Sequence, residues 1–129
     1  MEPKIGNHCA YNINYHIVFC PKRRKSILVD NIASDCNEII NEIADECKIK
    51  IESLSVMPDH VHVFVSAHPK ISPYLIIKRF KGRTSHILRK KYPQLLRLQC
   101  LWSSAYYIGT VGHVSDSVVK MYIENQKNK

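Results

Sequence analysis

Apolar and polar residues alternate along one short stretch in the middle of the chain. Residues 60–65 read His-Val-His-Val-Phe-Val, so two histidines share one parity and three valines share the other. Neighbouring residues of a strand point to opposite faces of a sheet, which places His60 and His62 on one face and the valines in a core. Pro58-Asp59 predicts a tight turn from a preceding strand over 49–56. We interpret Asp59 as a residue of this turn. A role in orienting a histidine ring is the less favoured alternative.

The rest of the pattern predicts a small set of further elements. Alternation and helical spacing indicate strands over 11–20 and 105–111 and helices over 30–47, 72–92 and 115–126. The resulting order predicts an α+β, ferredoxin-like split βαβ fold: a four-stranded, mainly antiparallel sheet with helices on one face and an added C-terminal helix. The first and third strands of that topology are central neighbours. His60 and His62 are therefore expected in mid-sheet, on the face that the helices leave open.

Size and charge narrow the classes of function. The chain has 129 residues, which suits a single domain over 1–129, and 19 Lys and Arg against 11 Asp and Glu give a formal net charge of +8. Such a positive field favours a polyanionic partner, with nucleic acid as the first candidate. The first ten residues contain no long apolar run, so we expect a cytoplasmic protein with no membrane partner.

The cysteines do not indicate a structural metal or a disulfide framework. All five are widely spaced and none forms a Cys-x-x-Cys pair, which is typical of reduced thiols. His8-Cys9 resembles half of a zinc site, but no second pair has matching spacing.

Basic residues concentrate in a loop after the first strand and on the second long helix. Each group is typical either of a solvated surface or of contacts to a DNA backbone. Gly82 weakens that helix and marks either a bend or a close approach of the backbone to a ligand. The candidate DNA-contacting residues are Lys22, Arg23, Arg24, Lys78, Arg79, Lys81 and Arg83.

Tyr122 and Gln126 lie four residues apart on the last predicted helix, so their side chains share one face. This pair is typical of a core tyrosine with a polar neighbour, and a His-x-His alone also suits a solvated sheet face. Beside His60 and His62, however, Gln126 offers an amide oxygen as a third metal ligand, and Tyr122 offers a phenol that can attack phosphorus. Mixed nitrogen and oxygen ligation favours Mg²⁺ or Mn²⁺ as the cofactor.

These motifs together resemble a known family. His60-Val61-His62 resembles the His-hydrophobic-His motif of HUH endonucleases, and residues 120–126 resemble the nucleophile helix of the single-tyrosine transposases of the insertion-sequence 200/605 group. The resemblance spans nearly the whole chain. Its other parts are the segments 15–24, 57–62, 102–107 and 110–112.

The resemblance implies an activity. The family cuts single-stranded DNA at the ends of its own mobile element, forms a covalent 5′-phosphotyrosine and leaves a free 3′-OH. It then rejoins strands by reversing the step. It recognises DNA hairpins near the element ends and works as a homodimer whose active sites are shared between subunits. Tyr122 would be the nucleophile, and His60, His62 and Gln126 would hold the metal.

Other interpretations stay open at this point. A basic ferredoxin-like sheet can bind single-stranded nucleic acid by aromatic stacking without cutting it. A metal-dependent phosphodiesterase would use water as its nucleophile and would tolerate loss of Tyr122. A domesticated relative that acts on dispersed hairpin repeats would share every motif named above. Tyr106 and Tyr107 are the rival nucleophiles, and we interpret them as packing or base-stacking groups.

Overall fold

In the computed structural model, the described residues are 3–5, 10–110 and 116–126, with the backbone alone described for 116–120. Short 3-10 segments cover Lys22–Arg24 and Pro93–Arg97. The strands and helices, in chain order, are β1 (Lys4–Ile5), β2 (Ala10–Tyr11), β3 (Asn14–Phe19), α1 (Asp30–Cys47), β4 (Lys50–Met57), β5 (His60–Ser66), α2 (Pro73–Lys91), β6 (Tyr107–Gly109) and α3 (Asp116–Asn125).

The main sheet has four strands in the order β4-β5-β3-β6, and every neighbouring pair is antiparallel. This order is that of a ferredoxin-like split βαβ fold, so the predicted architecture is confirmed. β3 and β5 are the central pair, as expected. Their register sets Val18 directly opposite His62, and on the other side of β3 the same Val18 faces Tyr107 of β6.

One face of this sheet, the core face, carries the main hydrophobic core. The valines of β5 are fully buried there with Ile17 and Phe19 of β3, under the apolar stripes of α1 and α2. Helical spacing predicted the bounds of α1 because Ile32, Cys36, Ile39, Ile40 and Ile43 are all buried along one stripe.

The ends of both long helices have local causes. α1 stops where Lys48 takes a left-handed backbone conformation with φ 57°, which ends the helical hydrogen bonding. The hydroxyl of Ser72 accepts a hydrogen bond from the backbone nitrogen of Leu75, and Pro73 occupies the first turn. A Ser-Pro pair is a common start signal of a helix, and it accounts for the predicted start of this helix at residue 72.

Three segments differ from the expected pattern. The predicted strand 11–20 is divided, because Ala10–Tyr11 pairs with Lys4–Ile5 in a separate two-stranded sheet and only Asn14–Phe19 joins the main sheet. The last strand covers Tyr107–Gly109, without residues 105, 106 and 110 of the predicted range 105–111, and residue 111 lies outside the described residues. The segment 93–104, which lies between the predicted elements 72–92 and 105–111, begins with a 3-10 segment and makes an isolated bridge between Pro21 and Trp102.

The remaining predictions concern the cysteines, a membrane-spanning helix and three short motifs. The four described cysteines, Cys20, Cys36, Cys47 and Cys100, are free thiols. Within the described ranges, no helix combines the length and the apolar character needed to cross a membrane. His8-Cys9, Gly112 and the helix cap at Ser115 lie outside the described residues.

Candidate active site

The two histidines of β5 lie on the sheet face opposite the core, which we call the histidine face. Val61 and Val63 are fully buried on the core face, whereas His60 and His62 are partly exposed on the other. The strand alternation predicted this division. Both rings are therefore available on one surface, two residues apart along a central strand.

Asp59 contacts the first of these histidines. Its Oδ1 lies 2.9 Å from Nδ1 of His60, and its Oδ2 lies 3.2 Å from Nε of Arg24. The interpretation of Asp59 as a turn residue only was wrong: it forms the turn and also fixes the ring beside it. With Nδ1 as the donor to this carboxylate, Nε2 of His60 is left with a lone pair for a metal.

A third histidine joins the histidine face from the neighbouring strand. His16 Nδ1 lies 3.2 Å from His62 Nε2, and the His16 ring stacks on Phe64 with centroids 4.3 Å apart. Sequence reasoning did not select His16 as a site residue. The signal was available, because His16 has the parity opposite to Ile17 and Phe19 and its strand was expected beside β5.

α3 packs on the histidine face instead of the core face. Val18, Cys20 and Ile123 form a small buried cluster, with Tyr107 and Tyr122 packed against it. Since Val18 is the direct sheet partner of His62, this cluster brings the tyrosine helix to the strand that adjoins the histidines.

Tyr122 has an unusual environment for a tyrosine. Its hydroxyl is buried, and no hydrogen-bond partner reaches it from the described part of the chain. Burial raises the pKa of Tyr122, and the nearby Cys20 thiol adds to the shift. An unpaired buried hydroxyl is costly for folding, so it is a feature that calls for a functional explanation.

Two polar ties hold α3 in place. Arg24 donates from Nη1 to Oε1 of Glu124 at 3.0 Å while its Nε contacts Asp59, so one guanidinium links the helix to the turn before His60. At the end of the helix, Ser103 Oγ donates to Oε1 of Gln126 at 3.1 Å, and both residues are buried. Sequence reasoning proposed Arg24 as a DNA contact and missed its link to both carboxylates.

The donor set suits a divalent cation. Imidazole nitrogens of His60 and His62 share one face, and the amide oxygen of Gln126 keeps a second lone pair beside its bond to Ser103. Among the described residues, no three His, Cys, Asp or Glu side chains are grouped so as to hold a metal. Gln126 offers a donor of another type, an amide oxygen.

The rival tyrosines occupy different places. Tyr107 packs in the small cluster, with its ring centroid 6.1 Å from that of Tyr122. Tyr106 precedes β6, is partly exposed, and lies under the amine of Lys81 at 5.8 Å from the ring centroid. Tyr106 and Tyr107 therefore both take part in packing or ring contacts, as we interpreted them.

The basic residues of α2 divide between two sides of the helix. Arg79 donates to Cys47 Sγ at 3.7 Å, and Arg83 pairs with Glu46, so both face α1. Lys78 and Lys81 line a groove on another side. In the turn after β3, Lys22 and Arg23 lie beside the paired Arg24. DNA contact by all seven residues stays a prediction.

Comparison with known proteins gives one consistent result. Residues 9–126 match the model of the IS200-like transposase family. The ISDra2 transposase TnpA of Deinococcus radiodurans is 33% identical over 132 residues, covering 100% of this chain and 94% of that protein. The transposase for insertion sequence element IS200 of Salmonella typhimurium is 27% identical over 122 residues, covering 92% and 80%.

Solved structures agree with the sequence matches. The crystal structure of a candidate transposase from Deinococcus radiodurans R1 superposes with a TM-score of 0.89 at 30% identity, covering 95% of this chain and 97% of that one. A REP-associated tyrosine transposase bound to a REP hairpin shares the fold at a TM-score of 0.61 and 11% identity, covering 93% of this chain and 69% of that one. The chain belongs to the IS200-like transposase family.

Proposed function

We propose that this transposase cuts and rejoins single-stranded DNA at the ends of an insertion element, with Tyr122 as the nucleophile. The observation that supports the proposal most is the position of α3, which holds Tyr122 against the strand next to His62 on the histidine face. The buried hydroxyl without a described partner is explained if its partner is the substrate phosphate.

The chemistry of this step is a displacement at phosphorus. The bond between Tyr122 Oη and phosphorus forms while the bond from phosphorus to the 3′ oxygen breaks, giving a 5′-phosphotyrosine and a free 3′-OH. The phenol gives up its proton, and the departing 3′ oxygen takes one up. Burial raises the pKa of Tyr122 above the ordinary value of a phenol, so Tyr122 enters the step protonated. Reversal of the step rejoins strands without a nucleotide cofactor.

Mg²⁺ or Mn²⁺ is the proposed cofactor, held by His60, His62 and Gln126. When bound, such an ion would neutralise the scissile phosphate and polarise its P–O bonds. Asp59 orients His60 through Nδ1, and Ser103 orients Gln126 through its amide oxygen. Asp59 and Ser103 therefore fix the direction of two of the three proposed ligands, His60 and Gln126.

Hairpin DNA and a homodimer complete the proposal. The REP-associated relative is bound to a hairpin, and we extend hairpin recognition to this chain. In the single chain α3 contacts its own Arg24 and Ser103. If the active sites are shared between two subunits, α3 of one subunit makes these contacts with Arg24 and Ser103 of the other subunit.

Mixing two inactive variants tests this sharing. Tyr122→Phe keeps the histidines and His62→Ala keeps the tyrosine, so a mixed dimer with shared sites contains one complete site. We expect the mixture to regain up to about a quarter of wild-type cleavage, since half of the dimers are mixed and each has one site. No recovery, despite subunit exchange shown with tagged chains, would mean that each site is built within one subunit.

A denaturing gel tests the reaction itself. Wild type and Tyr122→Phe are mixed with single-stranded element ends in Mn²⁺, Mg²⁺ or EDTA, with Tyr107→Phe as the matched control from the same cluster. We expect a metal-dependent protein–DNA adduct that is lost only in Tyr122→Phe. Cleavage without an adduct that survives this change would indicate a water-using phosphodiesterase. Binding without any cleavage would indicate a binding module.

A further inference from the structure

A groove separates α2 from the segment 100–106 on the side of the helix that faces away from α1. It has a volume of about 380 Å³, near the lower end of small-ligand sites. Its floor is apolar and buried, formed by Ile77, Leu101 and Trp102. Its rim carries the exposed ring of Tyr74, 61% exposed, and the ring of Tyr106, 37% exposed. An apolar slot between two accessible aromatic rings suits a flat, partly apolar ligand.

Gly82 forms part of the groove wall. A glycine inside a helix weakens the helix relative to alanine, so a packing reason is expected for it. A Cβ built at Gly82 would meet nothing within 4 Å, and the helix runs through this position without a break. Neither close packing with the described residues nor a kink requires this glycine. Its missing side chain instead keeps the groove open.

The charge of the groove is positive. Lys78 and Lys81 line it, and no carboxylate does so among the described residues. Lys81 Nζ donates to the carbonyl oxygen of Ser103 at 2.6 Å and lies over the Tyr106 ring, so the amine is held in a fixed place. Burial lowers the pKa of Lys81, because it removes part of the hydration of the amine. A fixed, partly desolvated cation beside an aromatic slot favours a base with an attached phosphate.

The groove is connected to the tyrosine helix through Ser103. The carbonyl oxygen of this buried residue accepts the bond from Lys81, and its hydroxyl donates to Gln126, which directly follows α3. A DNA strand whose base enters the groove would therefore pass close to the end of the helix that carries Tyr122.

We propose that this groove binds one unstacked base of single-stranded DNA, with Tyr74 and Tyr106 stacking on the base and Lys78 and Lys81 contacting its phosphate. Single-stranded DNA as the ligand rests on the proposed function. The new part of the proposal is the place at which the base binds, which is the groove beside Ser103. A paired base cannot enter, because its Watson–Crick partner and its stacked neighbours hold it in the duplex.

Trp102 provides the readout, since it is the single tryptophan of the chain and lines the groove. The full chain is titrated in EDTA with an oligothymidylate, with tryptophan fluorescence and anisotropy of a labelled strand recorded together. Gly82→Leu fills the groove, and His86→Leu is the matched control, since it adds the same side chain at an exposed position of α2 outside the groove. Circular dichroism confirms that both variants keep the fold.

We expect the strand to quench Trp102 in wild type and in His86→Leu. Gly82→Leu should show no quenching and should bind the strand at least about tenfold more weakly. Tyr74→Ala should bind the strand about tenfold more weakly, as the loss of stacking on one base predicts. Wild-type affinity and quenching in Gly82→Leu would overturn the proposal. Equal quenching by a duplex of the same sequence would also overturn it.

Failure of this proposal is separable from failure of the proposed function. An adduct on Tyr122 with unchanged binding by Gly82→Leu would remove the base site and leave the transposition chemistry intact. Groove-dependent binding by a protein that forms no adduct on any strand would support the base site and contradict the transposition chemistry.

Discussion

The two faces of the sheet are built in different ways. The core face is closed by two long helices over many fully buried side chains, among them Phe19, Val63 and Phe80. On the histidine face, the described side chains of α3 and of Gln126 contact the small Val18 cluster and form two polar ties. Stability is thus concentrated on one face and the proposed chemistry on the other. The described contacts of α3 are few and partly polar, so we expect this helix to open locally at a lower free energy than the core, as the proposed entry of DNA requires.

Truncation of the core should give the largest effect on stability. Phe80 lies on α2 and is fully buried against the sheet, so Phe80→Ala should lower the free energy of unfolding by about 3–5 kcal/mol. Ile123→Ala, in the small cluster on the other face, should cost less, because this site can relax toward solvent. Urea denaturation measures both. A larger loss for Ile123→Ala would contradict the difference between the two faces.

Alkaline pH should weaken the core face through Cys36. Burial raises the pKa of this thiol from 9.0 to about 12. Between these values the folded chain keeps the proton and the unfolded chain releases it, so stability is complete below about pH 9 and falls above it. The expected slope is up to about 1.4 kcal/mol per pH unit. Cys36→Ala should flatten the profile measured by urea denaturation, whereas Cys47→Ala, at a partly exposed site, should not. Equal pH profiles for Cys36→Ala and the wild type would contradict the assignment of this stability loss to Cys36.

Loss of the Arg24 tie should affect activity more than stability. Arg24→Met removes the contacts to Asp59 and Glu124, and exposure of Glu124 limits the stability loss to about 1 kcal/mol. We expect roughly tenfold slower adduct formation, because about 1.4 kcal/mol corresponds to a factor of ten in rate. Arg23→Met is the control, since Arg23 is exposed and adjacent. Equal losses of DNA affinity in both variants, with no change in rate, would favour phosphate contact by both arginines.

Two tyrosines allow a paired comparison of the faces. Tyr92, near α1 and α2, donates its hydroxyl to Asp35 Oδ2 at 2.5 Å, whereas the Tyr122 hydroxyl is buried without a partner in the described chain. Tyr92→Phe should lower the free energy of unfolding by about 1 kcal/mol. Tyr122→Phe should leave it unchanged or raise it by a similar amount. A clear loss of stability in Tyr122→Phe would show that its hydroxyl is satisfied in solution.

Local pattern was sufficient for much of the fold. The opposite parities of Val61 and His62 predict the two faces of the sheet, and the Ser72-Pro73 pair indicates the start of α2. Both signals depend only on neighbours in sequence. The divided first strand could not be read in this way. Alternation continues through Tyr11 and Asn14 although the chain leaves one sheet and enters another.

The site was less completely predictable, for the same physical reason. His60, His62, Tyr122 and Gln126 were selected from short-range spacing and from the family resemblance. The contact of His16 with His62 and the link from Arg24 to Glu124 join residues far apart in sequence. Charge clustering also treated Arg79 and Arg83 as one surface with Lys78 and Lys81, whereas the acidic side of α1 pairs with Arg83.

The most direct test of the central claim is to identify the residue that becomes attached to DNA. Tryptic cleavage after Lys120 and Lys127 gives a peptide, residues 121–127, in which Tyr122 is the only tyrosine, while Tyr106 and Tyr107 fall together in residues 98–120. The adduct formed with a single-stranded element end is digested with nuclease and trypsin, and the peptides are analysed by mass spectrometry. The proposed function predicts a nucleotide mass on residues 121–127. A nucleotide mass on residues 98–120 would contradict it.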